Sequence, residues 1–596
     1  MEEIMKDFIK TFVAVLLALA CVGFFCFLVI AGLAATKQPA KVKKQSMLVL
    51  DLSNPISDKP AASDFEGLAP LLSGKGPQKV IPLRKLLYAI DQAASDEKIK
   101  GLYLTGNVNR INGYSGWGTL SEVRRALEAF AASGKPIYAY NMYWDEASYF
   151  LSSVATNLSL NPFGVVELNG FSAEVPYFKG ALEKLGVQVQ VTRVGKYKSA
   201  VEPYILDEMS EANREQMSKF LGDLFDVFVE DISKSRNVPV EDLLALANTE
   251  GMARGEQAVA KGLVDRAVYY DEILKELKEL TETKEDKKTF KQIAVNKYLQ
   301  AIDVEKNKAK DMIAVIYAEG NIVDGKSNNQ VGGVTVSAFL RKARLDDKVK
   351  AVVLRVNSPG GSASASEEIQ RETLLLKEAG KPVVVSMGSV AASGGYWISA
   401  YADEILAEAN TITGSIGVFG MFMNVEQLRD KLGVNVETVK TAEMADQSTI
   451  MRAKTDAELQ VFQNFVDHIY DEFLEKVAEG RNLELEKVAE IAQGRVWSGK
   501  EALKLGLVDR LGGVVDAIDS AAERAALDKY KVVQYQRKKE FVETILEDMG
   551  MAPENTGMRS PIRAELKKIQ KLLLTVDCMN DPNGVYARMP YDVVAK

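Results

Sequence analysis

The chain has 596 residues, of which 47% are hydrophobic and 26% are charged, enough apolar surface for two large globular cores. The formal net charge is −8 and no basic face or arginine-rich run stands out, which argues against a nucleic-acid-binding protein. Three cysteines and one histidine exclude a disulfide framework, a cysteine-cluster or multi-histidine metal site, and a histidine-assisted catalytic triad in the monomer.

The N-terminal flank, residues 1–10, is followed by 25 residues without a charge at 11–35. As a helix this segment would be about 37 Å long, enough to cross a hydrocarbon core of roughly 30 Å. We therefore predict a transmembrane anchor at 11–35. A cleaved signal peptide is the alternative, because 32–34 (GLA) offers the small residues of a cleavage site. Lysines lie on both sides of the span, so charge alone leaves its orientation open.

One sequence pattern is written twice along the chain. Tyr149 and Tyr396 occupy matching contexts 247 positions apart, and the pentapeptide GLVDR at 262–266 recurs at 506–510. A repeat of this length is a whole domain and not a unit of a solenoid. The pattern predicts an internally duplicated protein.

We divide the chain accordingly into a first repeat at 45–280, a charged linker at 281–309, a second repeat at 310–540 and a C-terminal tail at 541–596. The segment 58–82, rich in Gly, Pro and Ser, has no counterpart in the second repeat. It is predicted to form a surface loop.

The segments 312–317, 351–356 and 382–386 are short, continuous apolar runs, with a helical pattern at 364–379 between the last two. Continuous apolar strands are typical of a parallel sheet that is buried on both faces. The fold class predicted for each repeat is therefore α/β. Two further long helices are predicted at 217–235 and 457–479.

The segment 357–361 (NSPGG) directly follows a predicted strand, and its glycines allow backbone N–H groups to turn toward a bound carbonyl oxygen. Ser393 follows the next strand within 391–395 (AASGG), where small neighbours leave room for a substrate carbonyl. The Gly394 N–H is a candidate second oxyanion donor. The alternative is a tight strand-to-helix turn that requires small residues only for packing.

A serine nucleophile requires a base, and lysine is the remaining common choice when histidine is absent. Such a lysine must be desolvated or lie near other positive charge. Lys198 is the candidate, with Lys196 as a neighbouring competitor and a solvated surface lysine as the alternative. At the repeat offset Ser393 corresponds to Glu146 and Lys198 to Ala445, so each copy retains one of the two groups.

Four motifs together resemble the bacterial signal peptide peptidase A family, also called protease IV, in its long, duplicated, membrane-anchored form. They are 197–203 (YKSAVEP), 357–361 (NSPGG), 392–397 (ASGGYW) and 413–417 (TGSIG), and the resemblance extends from about residue 45 to 540.

This resemblance implies two tandem Clp-protease/crotonase-like α/β domains that follow one transmembrane helix. It implies a serine–lysine dyad whose members come from different repeats, and neither a metal nor a cofactor. The implied roles are nucleophile for Ser393, general base for Lys198, oxyanion donors for Gly394, Gly360 and Gly361, and orientation of the lysine for Ser415.

The implied activity is hydrolysis of remnant signal peptides and other hydrophobic peptide segments through an acyl-enzyme. The implied location is the bacterial cytoplasmic membrane, with the catalytic domain facing the periplasm or the outside, and the implied assembly is a homotetramer. Two alternatives are a crotonase-like acyl-thioester enzyme, which would need neither Ser393 nor Lys198, and a non-catalytic, membrane-tethered peptide-binding scaffold. Because both dyad members are present, the sequence favours the peptidase.

Overall fold

The computed structural model describes most of the two repeats and a short part of the tail, namely residues 10, 41–59, 80–108, 115–302, 309–327, 329–535 and 585–589. The anchor predicted at 11–35 lies outside these residues. Within the portion of the chain that is described, no helix has both the length and the apolarity needed to cross a bilayer.

The first repeat is an α/β unit. Its strands are β1 (Ser46–Asp51), β2 (Ile56–Ser57), β3 (Ile81–Pro82), β4 (Ile99–Thr105), β5 (Ile137–Trp144), β6 (Asn157–Glu167), β7 (Gln188–Val194), β8 (Met252–Arg254), β9 (Arg266–Ala267) and β10 (Gln292–Ala294). Its α-helices are Leu83–Ser95, Trp117–Ala132, Glu146–Ser152, Lys179–Leu185, Glu202–Ile205, Glu211–Arg236, Val240–Thr249, Gly255–Ala260, Tyr270–Leu280 and Val295–Ala301.

The second repeat follows the same plan. Its strands are β11 (Met312–Glu319), β12 (Ile322–Val323), β13 (Val331–Gly332), β14 (Val349–Ser358), β15 (Gly360–Ser362), β16 (Val383–Ala392), β17 (Glu404–Ala407), β18 (Ile412–Gly414), β19 (Val418–Asn424), β20 (Val496–Ser498), β21 (Arg510–Leu511) and β22 (Lys531–Tyr535), and the tail adds β23 (Val585–Arg588). Its α-helices are Gly333–Leu345, Ala363–Glu378, Gly394–Trp397, Glu426–Lys431, Asp456–Arg481, Leu485–Ile491, Gly499–Leu505 and Val514–Arg524.

Each repeat is centred on a mainly parallel sheet. The first has the strand order β10-β1-β4-β5-β6-β8 and the second β20-β18-β16-β14-β11-β22. Strands β11, β14 and β16 are parallel neighbours, and almost all of their side chains are buried. Burial on both faces explains why the strands at 312–317, 351–356 and 382–386 were predictable as continuous apolar runs.

The two copies share side-chain contacts as well as topology. The Tyr149 hydroxyl donates to the Leu263 carbonyl at 2.7 Å, and the Tyr396 hydroxyl donates to the Leu507 carbonyl at 2.8 Å. All four residues are buried. Each tyrosine therefore ties the helix after the central strand to the GLVDR motif of its own repeat, and the duplication predicted from the sequence extends to atomic detail.

Two features differ from the predicted organisation. Strand β10 and the helix Val295–Ala301 lie within 281–309, where a linker was predicted, and β10 pairs with β1 of the first sheet. The prediction that a surface loop begins at Asp58 is wrong for that residue. Asp58 is buried, and its carboxylate accepts hydrogen bonds from the Arg355 guanidinium. The two groups are buried together because a buried guanidinium requires an anionic partner.

A third sheet joins the repeats, with the order β13-β12-β15-β23-β19-β7. Strand β7 comes from the first repeat and pairs antiparallel with β19 of the second over seven residues, from Val418 opposite Val194 to Asn424 opposite Gln188. Because Lys198 follows β7 directly, this pairing carries it across to the second repeat.

Candidate active site

Ser393 lies at the end of β16, where the helix Gly394–Trp397 begins. Its φ of 55° and ψ of −115° are unusual for a residue with a side chain. The Ser393 N–H donates to the Gly414 carbonyl at 2.7 Å, and the Ser393 carbonyl accepts the Trp397 N–H at 2.8 Å. The sharp turn is thus held on both sides, as expected where backbone strain is kept at a functional position.

The turn also depends on its glycine neighbours. A Cβ atom on Gly395 would lie 2.6 Å from the Ser358 carbonyl oxygen, so no side chain fits there. The sequence offered two readings of this segment, a catalytic turn or a turn that is small only for packing. The tight packing at Gly395 requires a glycine there, and Ser393 in the same turn is fully buried.

Lys198 lies between β7 and the short 3-10 helix Ser199–Val201, and its side chain is fully buried. Two glycines of the second repeat make room for it. A Cβ atom on Gly494 would lie 2.7 Å from the Lys198 Cβ, and one on Gly417 would lie 3.2 Å from its Cδ. The lysine therefore enters the second repeat through a glycine-lined opening.

The lysine and the serine meet directly. Lys198 Nζ lies 2.7 Å from Ser393 Oγ, 2.9 Å from the Ser415 carbonyl oxygen and 3.2 Å from Ser415 Oγ. Burial, with no carboxylate to offset it, lowers the pKa of Lys198 well below its ordinary value of 10.5. The amine is thereby shifted toward the neutral form that can accept a proton.

Ser415 is positioned by backbone geometry. It has a φ of 51°, and its N–H donates to the Arg495 carbonyl at 2.6 Å. The preceding strand β18 pairs with β16, with Gly414 opposite Ala392. Ser415 and Ser393 therefore leave adjacent strands at the same end of the sheet, and the lysine lies between them.

The glycine loop after β14 reaches the same place. A Cβ atom on Gly360 would lie 2.7 Å from the Gly394 nitrogen, and one on Gly361 would lie 1.9 Å from the Ile322 carbonyl oxygen. Neither position has space for a side chain. The structure thus brings together Ser393, Lys198, Gly394, Gly360 and Ser415. Gly361 follows Gly360 directly in the chain.

The remaining sequence candidates lie elsewhere. Lys196, the competing base, is exposed and lies over the Tyr197 ring, with its Nζ 5.0 Å from the ring centroid. Glu146, the counterpart of Ser393, accepts the N–H groups of Asn169 and Gly170, and burial raises its pKa to about 7. Ala445, the counterpart of Lys198, is exposed.

Sequence reasoning missed a buried ionic cluster that lies behind the glycine loop. The Arg355 guanidinium donates to Asp58 at 2.9 and 2.6 Å and to Glu122 at 2.6 Å. Asp58 also accepts from the Asn357 side chain at 2.9 Å, and Asn357 accepts the Val390 N–H at 3.1 Å. Two carboxylates of the first repeat therefore support the strand that leads into the loop. Asn357 belonged to the NSPGG motif, but nothing in the sequence marked the two acids.

The fold and the site define an internally duplicated α/β protein in which a buried lysine of one repeat contacts a buried serine of the other. The family model of peptidase family S49 matches this chain twice, at residues 129–284 and 375–528.

Protease 4 of Haemophilus influenzae is 36% identical over 95% of this chain and 94% of its own length. Protease 4 of Salmonella typhi is 35% identical over 95% and 94%. A putative signal peptide peptidase SppA of Enterococcus faecium is 37% identical over 39% of this chain and 69% of its own length. The chain belongs to peptidase family S49 and is a serine protease with a duplicated S49 domain.

Proposed function

We propose that the chain is a membrane-anchored serine endopeptidase in which Ser393 is the nucleophile and Lys198 is the general base. Its substrates are remnant signal peptides and other hydrophobic peptide segments, cleaved through an acyl-enzyme. The observation that carries this proposal is the distance of 2.7 Å between Lys198 Nζ and Ser393 Oγ, two fully buried atoms from different repeats. A thioester enzyme of the crotonase type would have no use for this contact.

The three contacts of the lysine fit the neutral, unprotonated amine. A neutral amine has two N–H donors and one lone pair. The carbonyl and hydroxyl oxygens of Ser415, at 2.9 and 3.2 Å, take the two N–H groups. The lone pair then faces the Ser393 hydroxyl, which is the arrangement that general-base catalysis requires.

In the proposed reaction Ser393 Oγ attacks the substrate carbonyl carbon while its proton moves to Lys198 Nζ. The N–H groups of Gly394 and of the Gly360–Gly361 turn stabilise the oxyanion. The ammonium of Lys198 returns the proton to the leaving amine, which departs as the new N-terminus of the second fragment. A water molecule, deprotonated by the same amine, hydrolyses the acyl-enzyme and restores Ser393.

A hydrophobic substrate is supported by the surroundings of the site. Ala200, Val201 and Phe419 form a buried apolar cluster directly after Lys198 and along β19, with Val191 and Met421 packed against it. The relative from Enterococcus faecium is named for signal peptides, which are apolar segments. Membrane anchoring through residues 11–35 places such substrates beside the enzyme, and the proposed location is the bacterial cytoplasmic membrane, with the catalytic domain on its outer side.

We further propose that each repeat has the Clp-protease/crotonase-like fold and that the two domains extend over 45–280 and 310–540. The parallel core of each repeat supports that fold, because β1, β4, β5 and β6 have direct counterparts in β11, β14, β16 and β17.

The homo-oligomer, proposed as a tetramer, is supported by the repeat symmetry. Within the chain, β7 of the first repeat pairs with β19 of the second. The repeat offset of 247 positions makes 435–441 the counterpart of β7 and 171–177 the counterpart of β19. The same pairing would therefore join 435–441 of one copy to 171–177 of another. Neither segment belongs to a sheet in the described parts of the chain, and Val439 is 100% exposed. A head-to-tail pairing of this kind forms a ring when its rotation closes, and the proposed tetramer is a ring of that type.

The symmetry gives a test of the assembly. The pair Thr192 and Gly420 within the chain corresponds to Val439 of one copy and Ala173 of the next. Cysteines introduced at Val439 and Ala173 in the same chain are expected to form intermolecular disulfides on mild oxidation. A pair moved by two residues, at Val439 and Phe171, is the control.

The activity is tested with a fluorogenic hydrophobic peptide and the full chain in detergent. Wild-type protein is expected to hydrolyse it, and Ser393→Ala and Lys198→Ala are each expected to lose hydrolysis while retaining the wild-type far-UV spectrum. Absence of hydrolysis by a correctly assembled wild type would favour the peptide-binding scaffold instead. Substantial hydrolysis by Lys198→Ala would remove that residue from the mechanism.

A further inference from the structure

Lys198 lies at the apex of a three-residue turn. Its φ of −76° and ψ of 76° are those of an inverse γ-turn, and the Ser199 N–H closes the turn by donating to the Tyr197 carbonyl at 2.8 Å. The conformation of this turn sets the direction in which the lysine side chain leaves the backbone. The position of the lysine Nζ in the site therefore depends on what holds Tyr197 and Ser199.

Both ends of the turn are held by Gln216, a buried residue of the helix Glu211–Arg236. Gln216 Nε2 lies 2.9 Å from the Tyr197 carbonyl oxygen and 3.0 Å from Ser199 Oγ. It also lies 3.1 Å from Asn213 Oδ1. The Ser199 hydroxyl donates to Asn213 Oδ1 at 2.9 Å, so the Ser199 oxygen can accept from the glutamine. One side-chain amide thus bonds to both ends of the turn.

The other end of the same amide reaches the second repeat. Gln216 Oε1 accepts the Val496 N–H at 3.3 Å. Val496 begins β20, which pairs with β18, and the Arg495 carbonyl just before it accepts the Ser415 N–H at 2.6 Å. The backbone that fixes Ser415 and the backbone that fixes Lys198 are therefore connected through one side chain.

The surroundings of Gln216 fix the direction of its amide. Gln216 is 1% exposed and Asn213 is fully buried. The buried Glu202 carboxylate accepts from Asn213 Nδ2 at 3.1 Å and from the Ser210 hydroxyl at 2.6 Å, which leaves Asn213 Oδ1 directed at Ser199 and Gln216. Burial of an amide is favourable only when its donors and acceptor are satisfied, so packing alone would favour an apolar side chain at position 216.

We propose that Gln216 is a positioning residue of the peptidase. Its side-chain amide fixes the γ-turn at Lys198 and the register of that turn against β20, and it thereby places Nζ on Ser393 Oγ and on the two oxygens of Ser415 at the same time. Gln216 acts through Lys198 and is not itself a reacting group. The inference rests on the proposed role of Lys198 as the base, and it adds the side chain that transmits the fit between the repeats to the reacting atoms.

The test compares Gln216→Met with Gln190→Met in the full chain. Methionine is similar in length to glutamine but cannot form these hydrogen bonds. Gln190 is the matched control because its amide also joins the repeats, accepting the Lys454 N–H at 2.7 Å and donating to the Lys454 carbonyl at 2.9 Å. Only Gln216→Met should lower kcat, by at least about tenfold at unchanged KM, because misplacement of a reacting group by about 1 Å can cost about 100-fold. An equal loss of kcat in both variants overturns the inference.

The pH profile separates positioning from a general loss of stability. Burial lowers the pKa of Lys198, so the pKa of a less firmly enclosed lysine lies closer to its ordinary value. The acid limb of kcat should therefore move to higher pH in Gln216→Met and stay in place in Gln190→Met. Ser199→Ala, which removes one acceptor and leaves the bond to the Tyr197 carbonyl, should lower kcat by about threefold, and it provides the test if Gln216→Met does not fold. An unmoved limb in Gln216→Met, or wild-type kcat in Ser199→Ala, overturns the inference. Absence of hydrolysis by the wild type would instead refute the proposed function.

Discussion

The Lys198 amine contacts the side chain of Ser415, and the variant Ser415→Ala measures how much this contact contributes to catalysis. The substitution removes the hydroxyl acceptor at 3.2 Å and leaves the Ser415 carbonyl contact at 2.9 Å and the Ser393 contact at 2.7 Å. Alanine can keep the backbone of this turn, so the change is limited to one hydrogen bond. During attack the lysine becomes an ammonium ion, and a hydrogen bond to a charged group contributes about 1.5 kcal/mol or more.

A loss of about 1.5 kcal/mol of transition-state stabilisation corresponds to a decrease of about tenfold in kcat/KM. The pH profile should change as well. Activity rises with pH as Lys198 loses its proton, and loss of an acceptor for the ammonium lowers the pKa of the lysine further, so the acid limb of kcat/KM should move to lower pH.

The assay is hydrolysis of a fluorogenic hydrophobic peptide from pH 5 to 10, and the matched control is Ser399→Ala. Ser399 is equally buried, but its hydroxyl donates to the Gly395 carbonyl at 2.7 Å and does not touch Lys198. The control is expected to keep the acid limb of the wild type. A kcat/KM for Ser415→Ala within twofold of wild type, or a limb displaced to higher pH, would refute the role given to Ser415.

Two further predictions concern groups that support the site. Asp58→Asn removes the negative charge beside the buried Arg355 while Glu122 remains, so urea unfolding should show a loss of about 2–3 kcal/mol in the free energy of unfolding. The control Arg371→Gln, at an exposed ion pair, should change this free energy by less than about 0.5 kcal/mol. Equal effects of the two substitutions would contradict the buried role of Asp58. Burial raises the pKa of Glu146 from 4.5 to about 7, so its favourable contribution is complete below pH 4.5 and is lost as the pH rises through 7. Glu146→Gln should therefore become more stable relative to wild type between pH 5 and 8, by up to about 3 kcal/mol, with peptidase activity retained; a relative loss of stability would refute the assignment.

The duplication is what made the site predictable from the sequence. Ser393 and Lys198 are individually ordinary, but their counterparts Glu146 and Ala445 show that each copy retains a different group. The glycine turns were predictable from short motifs, because a Cβ atom has no space at Gly360 or Gly361 and geometry therefore fixes the residue type. The central strands were predictable from the continuous apolar runs, because a strand that is buried on both faces carries almost only apolar side chains.

Non-local contacts are what the sequence did not reveal. Asp58 stands in a segment with the composition of a surface loop, and its burial depends on Arg355, 297 positions away. Strand β23 has no periodic pattern of its own, and it is a strand because it pairs with β15 on one side and with β19 on the other. Pairing across such distances is set by the assembled fold and not by local preference.

In the proposed mechanism, a lysine of the first repeat activates a serine of the second. The most direct test is labelling with a fluorophosphonate probe, followed by peptide mapping, in wild type, Ser393→Ala and Lys198→Met. We predict that Ser393 carries the label in wild type, that Ser393→Ala is unlabelled, and that labelling of Lys198→Met is slower by at least about 100-fold. Labelling at another residue, or an unchanged rate in Lys198→Met, would contradict a dyad formed across the duplication.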